Sequence, residues 1–465
     1  MQKILKLMLC AIVVMALFTV SALADGDGID VQLNGTPVDF TDATPQVKNE
    51  RTFLPFRAVF GALGFEDDKI TYDYDTDTVK ADKEDLTVSM VIGEKKITVI
   101  RDGETQVIST DVPAYVDYTL SRTFVPVRFI SEAVGCNVGW DQDDQTVIID
   151  DVDAIMAANS AKYTIMDKYL AYANRYSTGA YAVNASLTAG VDMAAESETM
   201  AMDITGDMKM LIEGLKADAE AAMNITGSVT ADGTTVSLAE TGIPAALDMD
   251  IRYDMTAGTM AMQSDAFATL MPEAWNADTW YVINMGDMLA GSGMEWADLL
   301  ASTSMSYGDS FEEMLAALLH SISLTDKYAD TSATLAAINA LFSNDAFVHS
   351  GNGYVSRQSF TLDGTTTSFE FTVSGTGTTA TGYAMELSVT QAPVSTSTVT
   401  ANISASMQGD DMTAHIEFGT TVEGVRMDMN MDMEAVYGSA GKSPAGAPPA
   451  GAKTADFFSI IGAAG

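Results

Sequence analysis

Few side chains in this sequence stand where chemistry would need them. His320, His349 and His415 are isolated from one another, and no His-x-His or His-Glu-x-x-His spacing occurs. A lone histidine is more often a structural or surface residue than a metal ligand. Asp73, Asp75, Asp77 and Glu84 occupy positions 1, 3, 5 and 12 of an EF-hand-like loop. Position 6 is Thr78 rather than Gly, and no helix is expected on either side, so calcium is not assigned. No nucleophile elbow or phosphate loop is present. The sequence therefore assigns no catalytic residue, no cofactor and no metal, and the reading is of a protein that is not an enzyme.

Two further groups could bind rather than react. Met427, Met429, Met431 and Met433 alternate with Asp428, Asn430 and Asp432, so in a strand all four thioethers share one face. Such a face suits a soft metal such as Cu(I), an ordinary core, or a pocket for irregular apolar ligands. Methionine is unevenly spread: 25 of the 29 lie at or beyond Met156. Trp275, Trp280 and Trp296 could line the same pocket. Together the four methionines and three tryptophans form the candidate face for a hydrophobic or lipid ligand.

The elements that would position these residues begin after a leader. Lys3 and Lys6, an apolar run from Leu7 to Val20 and the small-residue site Ala22-Leu-Ala24 read as a signal peptide over 1–24. No later stretch reaches the roughly 20 apolar residues that span a bilayer as a helix. The formal charge is −40, and losing Lys3 and Lys6 makes it two units more negative. That charge argues against nucleic acid as a partner. Cys136 is the only cysteine left after cleavage, so no internal disulfide can form.

Residues 28–151 contain one pattern twice. Arg51-Thr-Phe-Leu-Pro-Phe-Arg57 and Arg122-Thr-Phe-Val-Pro-Val-Arg128 each lead into a short helical pattern, ending at Gly64 and at Gly135. Phe56, Val59, Phe60 and Leu63 have helical spacing, as do Val127, Ile130 and Val134. A hairpin precedes each copy, turning at Asn34-Gly35 and at Asp102-Gly103. A strand pair follows each, Ile70–Tyr74 with Thr78–Ala81 and Val138–Asp141 with Thr146–Ile149. The four arginines are expected in ion pairs with carboxylates such as Asp73 and Asp141. The motif Arg-Thr-Phe-x-Pro-x-Arg, short helix, Gly, Trp140-Asp141, Val-x-Ile resembles the copper amine oxidase N-terminal-like domain, also called a stalk domain. The first copy departs from it with Tyr72-Asp73. The resemblance implies a small envelope module used as a stalk or binding unit in secreted bacterial proteins. It implies no oxidase chemistry, since the Asn-Tyr-Asp/Glu setting and the three histidine ligands of that enzyme are missing here.

Residues 152–437 read as a second domain. Asp151 can cap a helix from Ala154 to about Tyr176. Period-two runs then predict long antiparallel strands, for example at Met200, Met202 and Ile204 and at Leu247, Met249 and Ile251. Helical patterns interrupt them between about Gly286 and Phe342, starting at Met294, Ser310 and Thr331, and strands resume up to Val436. This order of elements resembles the LolA/LppX-like curved sheet. Residues 438–465, rich in Pro, Ala and Gly, are expected to be a flexible tail without a sorting motif. The expected fold class is α+β: a two-repeat stalk-type module followed by an antiparallel half-barrel with a helical insert. The expected protein is secreted, associated with the cell envelope, and either holds a hydrophobic ligand or serves as a structural or adhesive surface protein.

Overall fold

The computed structural model describes residues 29–49, 51–128, 133–141, 145–267, 275–288, 296, 310–322, 331–362, 364–391, 398–422 and 424–458. The signal segment 1–24 and, apart from Trp296, the helix expected from Met294 lie outside these residues. The described chain divides into two compact units, one holding residues up to Lys162 together with 307–340, the other Tyr163–Ser306 and 341 onward.

The first unit is built from thirteen short strands: β1 (Asp30–Leu33), β2 (Thr36–Pro37), β3 (Gln46–Lys48), β4 (Arg51–Pro55), β5 (Ile70–Asp73), β6 (Thr78–Lys83), β7 (Leu86–Val91), β8 (Lys96–Arg101), β9 (Glu104–Ser109), β10 (Tyr115–Asp117), β11 (Arg122–Pro126), β12 (Asn137–Asp141) and β13 (Thr146–Asp150). The two expected turns form, with Asn34 and Gly35 at φ 51° and 76° and Asp102 and Gly103 at 51° and 83°. Positive φ at both central residues matches the twist of the flanking strands. The first repeat helix is Phe56–Ala62. It ends at Gly64, φ 82°, where Phe65 N–H returns to the Phe60 carbonyl at 3.0 Å.

The two copies interlock. Their Arg-Thr-Phe strands pair antiparallel in a central sheet of order β10-β11-β4-β3, with Leu54 opposite Val125. The first hairpin, β1–β2, joins the last, with β1 parallel to β13. The first copy's β5–β6 pair connects through β7 to the second copy's β8–β9. Each copy thus completes its sheets with strands of the other, and one core runs through both, including Leu54, Phe60, Val99, Val125 and Ile149.

Two helices from late in the chain belong to this unit. Phe311–Ile322 buries Phe311, Leu315 and Leu319 completely and packs on the helix Val152–Ala158. Asn137 donates from Nδ2 to the Leu319 carbonyl at 3.0 Å, and Thr331 N–H donates to the buried carboxylate of Asp150 at 2.9 Å. The helical insert expected in the second domain is thus placed, over residues 307–340, with the first.

The helix expected from Ala154 to Tyr176 is two helices. Asp151 caps Val152–Ala158 by accepting from Ala154 N–H at 2.9 Å. Asn159 then accepts from Ala161 N–H, a side-chain turn that competes with helix continuation. Thr164–Ala173 resumes in the second unit.

That unit is dominated by one sheet, curled into a half-barrel. A first meander runs through β14 (Tyr181–Ala194), β15 (Glu198–Glu213), β16 (Lys216–Ala231), β17 (Thr234–Ser237), β18 (Ala246–Asp254), β19 (Thr259–Gln263) and β20 (Thr279–Asn284). A second comprises β21 (Phe347–Ser350), β22 (Gly353–Leu362), β23 (Thr365–Ser374), β24 (Gly382–Gln391), β25 (Thr398–Gln408), β26 (Asp411–Val422) and β27 (Val425–Ser439). The meanders join where β27 pairs with β14, Met433 opposite Leu187. A last strand, β28 (Lys453–Asp456), pairs parallel with β20. The segment expected to be a free tail is therefore docked: Asp218 accepts from the N–H groups of Ala445 and Gly446 at 2.9 Å each, and Phe457 packs on Trp275. Backbone pairing along an open sheet edge anchors residues whose own side chains bury little. The architecture is mostly β with large antiparallel pairing, so the α+β class holds only in part.

Candidate functional site

Strand alternation sorts the large sheet into two chemically different faces. Met427, Met429, Met431 and Met433 do share one, and the register extends it across the neighbours. Leu387, Ile403, Ile416, Met431, Ala189, Ile204 and Ile225 stand side by side on seven successive strands, β24 to β27 and β14 to β16. The row on one side of it carries Phe418, Met429, Val191 and Met202; the row on the other carries Met433, Leu187 and Met223.

Among the described residues this face is covered toward its two edges, by Phe267, Trp275 and Phe457 over Tyr281 and Met262 at one and by a helix at the other. The helix Thr164–Ala173 lies on β23 and β24, where Tyr169 meets Phe371 and Tyr383 edge-on at 5.2 and 5.1 Å. Burial there pushes the Tyr383 hydroxyl up to about 12 and the Tyr169 hydroxyl higher still. Tyr172 donates to the Gly409 carbonyl at 2.6 Å, and the Arg175 guanidinium stacks on the Tyr172 ring at 3.8 Å. Farther along the strands the apolar side chains are half-buried, with Met429 38% and Met193 37% exposed. An apolar surface this continuous is larger than scattered surface hydrophobes produce.

The tryptophans do not gather on it as one lining. Trp275 stacks on Tyr281 at 5.0 Å, with Phe267 at 4.5 Å, in a small core at the β20 edge. Its buried Nε1 has no partner among the described residues. Trp280 alternates with Tyr281 and so points to the opposite face, where Arg252 lies over its ring at 5.1 Å. Trp296 donates from Nε1 to the Met255 carbonyl at 2.9 Å, beside Gly258.

The other face is acidic and polar. A concavity of about 780 Å³ is lined there by residues including Asp207, Lys209, Glu220, Asp248, Asp250 and Glu434. His415 sits on the same face, its Nδ1 2.6 Å from Asp432 and its Nε2 3.4 Å from Glu417. The Asp432 hydrogen bond raises its pKa above the ordinary imidazole value. Among the described residues no group of three or more His, Cys, Asp or Glu side chains is arranged to hold a metal ion.

The remaining sequence candidates resolve as follows. The EF-hand-like stretch is a hairpin: Asp73 caps its own turn by accepting from Asp75 N–H, and Thr78–Lys83 is an extended strand. Six extended residues carry Glu84 about 20 Å from the turn, which rules out a shared ion. Three of the four repeat arginines form ion pairs: Arg51 with Asp111 at 2.7 Å, Arg57 with Asp67 at 2.6 Å and Arg122 with Asp42 at 3.0 Å. His320 meets Asp153 at 3.1 Å, and His349 packs edge-on to Tyr354. Cys136 is buried, and burial pushes its thiol up to about 12. Sequence reasoning did not single out Tyr74 and Tyr118, 86% and 87% exposed. Their shared signal is an Asp-Tyr pair at a hairpin turn.

No helix among the described residues is long and apolar enough to cross a membrane, which says nothing of strands. No curated protein matches the chain. Among solved structures, OpdQ of Pseudomonas aeruginosa is 8% identical, over 59% of this chain and 74% of that one, with a TM-score of 0.14. The translocator domain of the autotransporter NalP from Neisseria meningitidis is 5% identical, over 60% of this chain and 99% of that one, at 0.15. Scores this low carry no argument about fold or function. The LolA-like resemblance receives no support from any of these matches. A family model, described as the copper amine oxidase N-terminal domain, matches residues 32–149. That span holds both Arg-Thr-Phe strands and the interlocked sheets around them, so this part of the chain is a copper amine oxidase N-terminal domain.

Proposed function

We propose that this is a non-enzymatic, secreted protein of the bacterial cell envelope, in which the stalk-type module carries a half-barrel that binds a hydrophobic or lipid ligand. The observation that supports the reading is the row from Leu387 to Ile225, half-buried over seven strands while one end of the same face is sealed by the helix Thr164–Ala173. A surface of Ile, Met and Leu side chains gains by removal from water, roughly in proportion to the area covered. Methionines adapt to irregular acyl or aromatic shapes without fixed rotamer demands. The seven residues of the row itself are all apolar, so there the ligand class is set by apolar area rather than by directed hydrogen bonds.

Native mass spectrometry of the chain from Asp25, followed by organic extraction, tests it. A discrete adduct that extracts as lipid, or uptake of added phospholipid, is the expected result. A bare polypeptide mass with no uptake overturns it and leaves a structural or adhesive surface protein as the reading.

A further inference from the structure

A second surface, wholly within the stalk-type module, has features the lipid reading does not use. A groove of about 870 Å³ runs along it, within the size range of small-ligand sites. Tyr72, Tyr74 and Tyr118 line it. Tyr74 and Tyr118 are 86% and 87% exposed, although each ring offers a large area that folding ordinarily buries.

The turns that carry these rings are held in place. Asp73 accepts from Asp75 N–H at 2.9 Å and so fixes the turn carrying Tyr74. Asp117 accepts from Thr119 and Leu120 N–H at 2.9 and 3.1 Å and fixes the turn carrying Tyr118. Both carboxyls are held below the ordinary range by those backbone bonds. Tyr72 donates to Asp77 at 3.0 Å, and its ring lies 4.9 Å from that of Tyr74. A ring carried on a fixed turn loses less freedom when a ligand stacks on it than one on a mobile loop.

The charged groups of the groove narrow the ligand. Arg57 is tied to Asp67 and to the Ile70 carbonyl, and Arg122 to Asp42. Paired in this way, they offer hydrogen-bonding edges without a free cation for an anionic ligand, which the chain's net charge of −40 also repels. Asp77 already takes the Tyr72 hydroxyl. The groove therefore fits a ligand with apolar ring faces, hydroxyl-rich edges and little net charge. We infer that it binds a chain of pyranose sugars, the C–H faces of the rings lying on Tyr74 and Tyr118 and their hydroxyls meeting the paired Arg and Asp side chains.

The test uses the full chain from Asp25 and three insoluble polysaccharides: peptidoglycan, chitin and cellulose. Retention on at least one is expected. A Tyr74→Ala/Tyr118→Ala variant should then lose at least tenfold in affinity with an unchanged unfolding midpoint, since both rings are exposed. Tyr74→Phe/Tyr118→Phe, which keeps the ring faces, should recover most of the binding. Retention on none of the three overturns the proposal, as does retention undiminished by the alanine pair or a phenylalanine pair as weak as the alanine one.

Discussion

His415 Nδ1 lies 2.6 Å from Asp432 Oδ1, a cross-strand pair on the acidic face of the large sheet. The hydrogen bond favours the imidazolium and raises its pKa above the unfolded value of about 6.5. A group raised on folding contributes its stability in full below the unfolded value and loses it as pH climbs through the folded one. The gap in denaturation midpoint between the wild type and His415→Gln should therefore be largest below about pH 6.5 and should narrow as pH climbs through the raised pKa. Titration of the His415 ring by NMR gives the shift directly, and a midpoint at or below the ordinary value would refute it.

Met431 stands between Ile416 and Ala189 in the middle of the apolar row. Because it is half-buried rather than sealed, Met431→Asp should leave the sheet folded while placing a charge where an acyl chain would lie. Phospholipid uptake should fall at least tenfold with circular dichroism unchanged. Glu434→Gln, on the opposite face, is the control and should leave uptake as it is.

Phe60 is completely buried in the core shared by both repeats, 4.6 Å from Phe56 and 5.0 Å from Phe65 by ring centroids. Truncation to Ala removes that packing and leaves a cavity, at a cost of about 3–5 kcal/mol. Denaturant unfolding should show this loss, and since one core serves both copies, probes in either copy should report a single shifted transition.

Removing residues 440–465 takes away β28 and the Phe457 ring that packs on Trp275 at 5.5 Å. Tryptophan emission should move to longer wavelength in the truncated chain, and the move should vanish in a Trp275→Phe background. In the intact chain, proteolysis between Lys442 and Lys453 should be slow, whereas an unanchored tail would be cut at once.

Local chemistry was legible in the sequence. The turns at Asn34-Gly35 and Asp102-Gly103 could be placed because each requires residues that accept positive φ, and the strands of the large sheet because their alternation persists for up to sixteen residues. Long-range partners were not. Nothing in Phe311–Ile322 states that Leu319 will meet Asn137, and nothing in Lys453–Asp456 states that it will lie beside Thr279–Asn284. Composition misled for the tail, since backbone hydrogen bonding to a sheet edge asks little of side chains. The methionine face was visible because its spacing lies within one strand; the separation of Trp275 from Trp280 depends on the register of Thr279–Asn284 against Thr259–Gln263.

The division of the chain also sets an order of events at the ribosome. The first unit needs residues 307–340, which emerge only after Tyr163–Ser306 of the second. Tyr181–Ala194, in turn, has one edge filled early by Glu198–Glu213 and the other only by Val425–Ser439. A nascent chain stalled between these points holds two unfinished units and a long unpaired strand edge, the surface most prone to pairing with another chain. That edge stays open to other chains until Val425–Ser439 has been made, more than two hundred residues after Tyr181–Ala194 itself.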